Sequence, residues 1–179
     1  TQTNQGSAKH ARLELLDVPI MYVPYARFPI GSERQSGVLF PTLANTNSGV
    51  DITLPFYANI ATNWDATLSP RYKNGHGYIT EAETRWLNRF DYWEVSGAYL
   101  GHDAMFESEN ALFSASPDDS RWALSVKESG ANRAGLQTLI DYTRISDDDY
   151  FRDIDTASLT INRATHLRQH AELNYLTPY

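Results

Sequence analysis

The chain has no cysteine among its 179 residues. Disulfide scaffolds, thiol catalysis and cysteine-ligated metal sites are therefore excluded. Long apolar runs are missing as well, and mean hydropathy is -0.47. Nothing approaches the ~20 residues that a membrane-spanning helix needs. That absence leaves strand-spanning proteins open, because a transmembrane strand takes only ~9–11 residues of alternating polarity. Basic residues are in deficit, 15 Lys and Arg against 22 Asp and Glu, for a net charge of -7. No basic stripe emerges, which argues against nucleic acid as a partner. An initiator Met and a signal-like apolar stretch are also lacking, so a mature or trimmed piece is expected.

What is abundant is aromatic, with 11 Tyr, 7 Phe and 4 Trp. Much of it falls in period-two alternation, the mark of β-strands. From Asp51 to Ile60, the residues Ile52, Leu54, Phe56, Ala58 and Ile60 share one face, opposite Asp51, Thr53, Tyr57 and Asn59. From Trp64 to Lys73, the residues Trp64, Ala66, Leu68, Pro70 and Tyr72 alternate with Asp65, Thr67, Ser69, Arg71 and Lys73. Tyr78–Trp86 continues the pattern, and Lys73–Gly77 reads as a turn from its glycines. Further strands are expected at Val38–Ala44, Tyr92–Leu100, Arg121–Glu128, Gly135–Thr143, Ala157–Arg163 and Gln169–Tyr175. The expected fold is all-β, about nine antiparallel strands in a meander.

Three features favour a membrane barrel wall over a soluble sheet. Trp64, Tyr72, Tyr78, Trp86, Trp93, Tyr99, Trp122, Tyr142 and Tyr175 fall near strand ends, as in aromatic girdles at the two membrane interfaces. Connections alternate in length, and the two longest, Gly101–Ser120 and Arg144–Thr156, belong to the same set. Outer-membrane barrels sort short turns to one end and long loops to the other. Opposite the apolar faces lie Asp51, Asp65, Arg71, Glu81, Glu83, Arg85, Glu94, Lys127 and Asp141, a mixed-charge set suited to a wet lumen. The solvent face of a one-sided sheet would look the same at this level.

Candidate chemistry is thin. Ser146–Asp155 has spaced acids but lacks the central Gly and closing Glu of a calcium loop, so it reads as a solvated loop. His102-Asp103 is a possible acid–base pair without a nucleophile in register, and His166 and His170 have ligand spacing only on a helix. An enzyme is not expected, and neither a metal nor a cofactor is expected. The prolines are more informative. Val18–Pro41 reads VPIMYVPYARFPIGSERQSGVLFP, with four prolines among strand-forming residues. Proline lacks a ladder donor and belongs at strand edges or bends, so this segment reads as a weak seam joining two β modules.

Three stretches, VPIMYVPYARFPIGSERQSGVLFP, LPFYANIATNWDATLSPRY and DYTRISDDDYFRDI, resemble the LptD family of lipopolysaccharide-assembly proteins in content, order and spacing. The one departure in the motifs is Ala61-Thr62-Asn63, where the family commonly has a Pro. The resemblance implies a fragment: residues 1–21 as the end of a periplasmic jelly roll, 22–37 as a proline-rich hinge, and 38–179 as the first strands of a large outer-membrane β-barrel. It implies a lateral gate between the first and last strands, through which lipopolysaccharide reaches the outer leaflet. Hinge and gate residues would be Pro24, Pro29, Pro41 and Pro55, with Val38, Leu39 and Phe40 on the gate strand. Each strand proline deletes a bond worth about 1 kcal/mol. Implied partners are an LptE-like plug lipoprotein, an LptA-like periplasmic bridge protein, outer-membrane lipids and the barrel-assembly machinery. The alternatives are a generic outer-membrane porin or receptor barrel, and a soluble carbohydrate-binding β-sandwich.

Overall fold

A computed structural model of the chain describes residues 5–15, 18–29, 34–46, 49–106, 120–132, 135–154 and 167–176. The chain divides into two units, residues 1–37 and 38–179. In the first, β1 (Gln5–Leu15) and β2 (Val18–Pro29) form an antiparallel hairpin. The strand β2 runs unbroken through residues 18–29 and so includes the first residues of the segment expected as a hinge. Pro24 and Pro29 both lie in this strand. Pro24 falls opposite His10, between the pairs Lys9↔Tyr25 and Ala11↔Val23. His10 has a φ of +54°, uncommon for a residue with a Cβ, and its Nδ1 shares a hydrogen bond with the Tyr22 hydroxyl.

In the second unit ten strand segments fill eight positions of one antiparallel sheet. They are β3 (Gly37–Val38), β4 (Thr42–Thr46), β5 (Gly49–Thr53), β6 (Phe56–Ala61), β7 (Trp64–Lys73), β8 (Gly77–Leu87), β9 (Asp91–Leu100), β10 (Arg121–Ala131), β11 (Leu136–Ile145) and β12 (Gln169–Tyr175). The order is β4-β5-β7-β8-β9-β10-β11-β12, with β3 and β6 continuing the first two positions. This is the antiparallel meander expected from the alternation. Two expectations need correction. Val38–Ala44 and Asp51–Ile60 are each split in two, at Leu39–Pro41 and Leu54–Pro55, because proline interrupts the ladder. Ala157–Arg163 lies outside the described residues, and β11 pairs directly with β12.

Burial along the strands runs opposite to that of a soluble sheet. In β7 the exposed residues include Trp64, Leu68 and Tyr72, while Asp65, Ser69, Arg71 and Lys73 are buried. Leu68 is 47 % exposed and its neighbour Ser69 only 5 %. An apolar outward face with a charged inward face cannot be stable in water, because burying ions while exposing tryptophan costs free energy on both sides. It is the pattern of a wall between lipid and a wet lumen. Aromatics mark both edges of the outward face. Trp64, Trp86 and Trp93 are aligned across β7, β8 and β9 at the short-turn end. Tyr72 packs against Tyr78 at the loop end, with ring centroids 5.1 Å apart and the planes tilted by 54°. Eight residues separate Trp64 from Tyr72, or about 27 Å of strand, which a tilt of about 40° reduces to about 21 Å of membrane depth.

The apolar core is small and lies on the inward face at the loop end. Ile79, Ala98, Leu100 and Ala123 of the wall pack with Tyr150 and Ile154 of the β11–β12 connection. That connection includes the one-turn helix α1 (Tyr150–Asp153).

Candidate functional site

The inward face is organised by register. Antiparallel pairing places Asp65, Arg85, Glu94, Lys127, Asp141 and His170 in one row across six strands. Acidic and basic side chains alternate along this row, so from Asp65 to Asp141 each carboxylate faces an Arg or Lys cation across the strands. Arg85 donates to both oxygens of Asp65 at 2.9 and 3.1 Å, and Lys127 donates to Glu94 at 3.4 Å. Arg168 donates to Asp141 at 3.2 Å. Nearer the loops, Arg71 donates to Asp51 at 2.8 Å and to Glu81 at 3.2 Å. All nine inner-face charges expected from the sequence therefore lie on the inward side of the wall.

Arg121 closes the loop end. Its side chain is 1 % exposed. Nε and Nη2 grip Asp147 at 3.0 and 2.6 Å, a two-pronged pairing suited to the planar guanidinium. Nη1 donates to Asp103 at 2.9 Å and to Asp153 at 3.1 Å. Phe106 covers the guanidinium, 4.8 Å from its ring centroid. His76 Nδ1 lies 2.9 Å from the other Asp103 oxygen, and Lys73 Nζ donates to the Asp153 carbonyl at 2.7 Å. The Trp122 amide donates to Ser146 Oγ at 3.1 Å, and the Ser146 amide returns a bond to the Trp122 carbonyl. The SDDDYFRDI stretch is thus folded onto the inner wall and sealed by Tyr150 and Ile154, both fully buried.

This corrects the reading of Ser146–Asp155 as a solvated loop over its described part, residues 146–154. Asp147 and Asp153 are partners of an arginine carried by another strand, and Asp147 is buried. The suggested His102-Asp103 pair is also replaced, since Asp103 faces His76 and Arg121. His166 lies outside the described residues, and His170 lies 3.2 Å from Glu172 on its own strand. Burial alone would raise the Asp103 carboxyl, but hydrogen bonds from Arg121, His76 and the Met105 amide bring it below its ordinary range. Burial, then the nearby Glu81 charge, pushes the Tyr150 phenol up. Among the described residues, no group of three or more His, Cys, Asp or Glu is gathered as a metal site.

The prolines expected at the gate lie in one neighbourhood. Pro41 immediately precedes β4, and Pro55 sits between β5 and β6. The pairs Thr42↔Thr53 and Thr53↔Arg71, continued by one residue, bring Pro41 beside Leu54 and Leu54 beside Pro70. The Leu54 amide donates to the Pro70 carbonyl at 3.0 Å, and the Leu39 amide to the Pro55 carbonyl at 2.8 Å. Prolines therefore stand at one level in three adjacent strand positions, splitting the first two, while β7 runs unbroken through Pro70. Pro70 was not expected here, because in sequence it occupies an ordinary outward position of β7. Val38, Leu39 and Phe40 are exposed, Phe40 at 91 %. Pro24 and Pro29 belong to the hairpin of the other unit.

Comparison with known proteins adds lineage to this geometry. A family profile described as "LptD protein" matches residues 7–105, and one described as "LPS transport system D" matches residues 119–179. The chain is 41 % identical over 179 residues to the LPS-assembly protein LptD of Hahella chejuensis, covering 98 % of this chain and 22 % of that protein. It is 40 % identical over 190 residues to that of Saccharophagus degradans, again covering 98 % and 22 %. With that of Chromohalobacter salexigens it shares 43 % over 150 residues, covering 83 % and 18 %. The chain spans about a fifth of the length of these curated relatives.

Proposed function

The chain belongs to the LptD family, and from that premise we propose that it forms the first part of an outer-membrane barrel wall that delivers lipopolysaccharide to the outer leaflet. The inverted burial of the ten-segment sheet carries this reading, with tryptophan outward and a charge row inward. Acyl chains are compatible with the apolar side and phosphorylated sugars with the charged side. A soluble carbohydrate-binding sandwich would bury its apolar face, so the same inversion disfavours it. In this reading no covalent chemistry occurs on the chain, and the driving force comes from elsewhere in the transport system. An LptE-like plug within the barrel and an LptA-like bridge on the periplasmic side complete the assembly.

The proposal extends to the edge formed by β3 and β4. That edge is two and five residues long and pairs with segments of six and five, where β7 and β8 reach ten and eleven, and prolines remove donors from it and from the next two strand positions. A strand held by fewer bonds parts from its partner more readily. Val38, Leu39 and Phe40 line the proposed lateral gate, with Pro41 and Pro55 setting its weakness, while Pro24 and Pro29 stiffen the approach to it. The test replaces Pro41 and Pro55 together with Thr in the full-length protein. Lipopolysaccharide delivery is expected to slow several-fold while the heat-modifiable folded band on gels persists. Delivery at the original rate would rule out the gate and favour a generic porin or receptor wall.

A further inference from the structure

Charge is scarce on the outward face. Among the described strand residues from β4 to β12, register assigns one cation to it, Arg144, and two acids, Asp91 and Glu128. Arg144 stands at the loop end, 5.9 Å from the Trp122 ring centroid. The acids stand together at the opposite, short-turn end. Asp91 pairs with Gly130 and Glu128 with Trp93, so all share one face.

Glu128 is only 4 % exposed although it lies on the tryptophan side of the wall. Its Oε1 accepts the Thr138 hydroxyl at 2.7 Å. Its Oε2 and Asp91 Oδ1 are buried and have no hydrogen-bond partner among the described residues. Buried carboxylate oxygens without donors are costly, and each calls for an ion or another partner. The three side chains converge over Gly130. A Cβ built there would stand 2.5 Å from Thr138 Oγ1, 2.7 Å from Glu128 Oε1 and 3.2 Å from Asp91 Cβ. Glycine keeps that space open.

We propose that Asp91, Glu128 and Thr138 hold a divalent cation of the calcium or magnesium class at the short-turn rim of the outward face. Two carboxylates and a hydroxyl supply hard oxygen donors and a charge of -2, which such a cation matches. An alkylammonium headgroup is a poorer occupant, because buried unpartnered oxygens around a space that a single Cβ would fill suit a small ion better than a bulky one. The Thr138 hydroxyl turns its proton away from Glu128 and offers a lone pair. Water or a lipid phosphate fills the remaining positions.

Terbium(III) is the probe, since it takes calcium sites and luminesces when a nearby tryptophan is excited. Trp93, the register partner of Glu128, is the donor. Full-length protein in a phosphate-free detergent is titrated with terbium, and calcium is then added in competition. A saturable emission is expected that calcium displaces and that Glu128→Gln weakens at least tenfold. Gly130→Ala, which fills the space, is expected to weaken it similarly, and Trp93→Phe to dim it without moving the midpoint. Heat-modifiable mobility establishes that each variant is folded, and Thr138→Val substitutes for one that is not. An unchanged midpoint in folded Glu128→Gln, Gly130→Ala or Thr138→Val places the ion elsewhere, as on the acidic loop at 146–153, and overturns the proposal.

Discussion

Arg121 has the most consequential single environment in the chain. Its guanidinium draws carboxylates from two different connections, Asp103 after β9 and Asp147 and Asp153 after β11, onto one buried point. Removing one partner from a buried ion cluster typically costs about 3–5 kcal/mol, because the remaining charges lose compensation. Arg121→Met should therefore release residues 146–154 while leaving the sheet paired, and limited proteolysis of that stretch in an otherwise folded protein checks it. Protection unchanged from the parent would mean that Tyr150 and Ile154 suffice to hold the loop. Asp103 adds a pH dependence. Its carboxyl titrates lower in the folded state, so its ionised form stabilises the closed loop at every pH above the ordinary aspartate value of about 3.9. That stabilisation is lost as pH falls below this value toward the lowered one. Cleavage within 146–154 should rise as pH falls below about 4, and Asp103→Asn should flatten that rise.

Among the elements, the six-strand charge row makes the clearest forecast. Lys127 lies between Glu94 and Asp141 in register. Lys127→Glu would set three acids side by side, and like charges directly opposite cost up to about 1 kcal/mol per contact. Adding Asp141→Lys, which turns one of the two like-charge contacts into an opposite one while leaving Arg85 beside Glu94, should recover part of the loss, as read from urea midpoints of the refolded barrel. If the double variant is no more stable than the single one, the row is not coupled. This row was legible in the sequence because lipid and lumen impose a period of two on every strand. The splits at Leu39–Pro41 and Leu54–Pro55 were legible as breakers but not as breaks, since alternation continues across both. The acidic loop was misread for another reason. Its carboxylates have no periodicity of their own, and the residue that gives them meaning, Arg121, lies 26 positions before Asp147. The clustering of Pro41, Pro55 and Pro70 likewise appears only once strand registers are known.

For the molecule as a whole, the inverted wall predicts opposite fates for adjacent residues. Leu68 lies midway between Trp64 and Tyr72 on the outward side of β7, and Ser69 faces inward beside Glu81, its register partner. Arginine at a lipid-facing midplane position costs about 2–4 kcal/mol, whereas an inward arginine gains an acidic neighbour. Leu68→Arg should sharply reduce folding into lipid vesicles and Ser69→Arg should not, and equal effects would refute the assignment of faces. The spacing of the aromatic edges carries a further consequence. An apolar height of about 21 Å is a few ångströms below the ~25 Å band of outer-membrane barrels, whose membrane is itself thinner than average. Lipid beside this wall must compress or tilt to meet it, as a wetting film thins against a short post. A bilayer already pinched along the protein has less thickness left to rearrange. On the proposed function, a thicker bilayer would resist the same wall as the amphiphile passes.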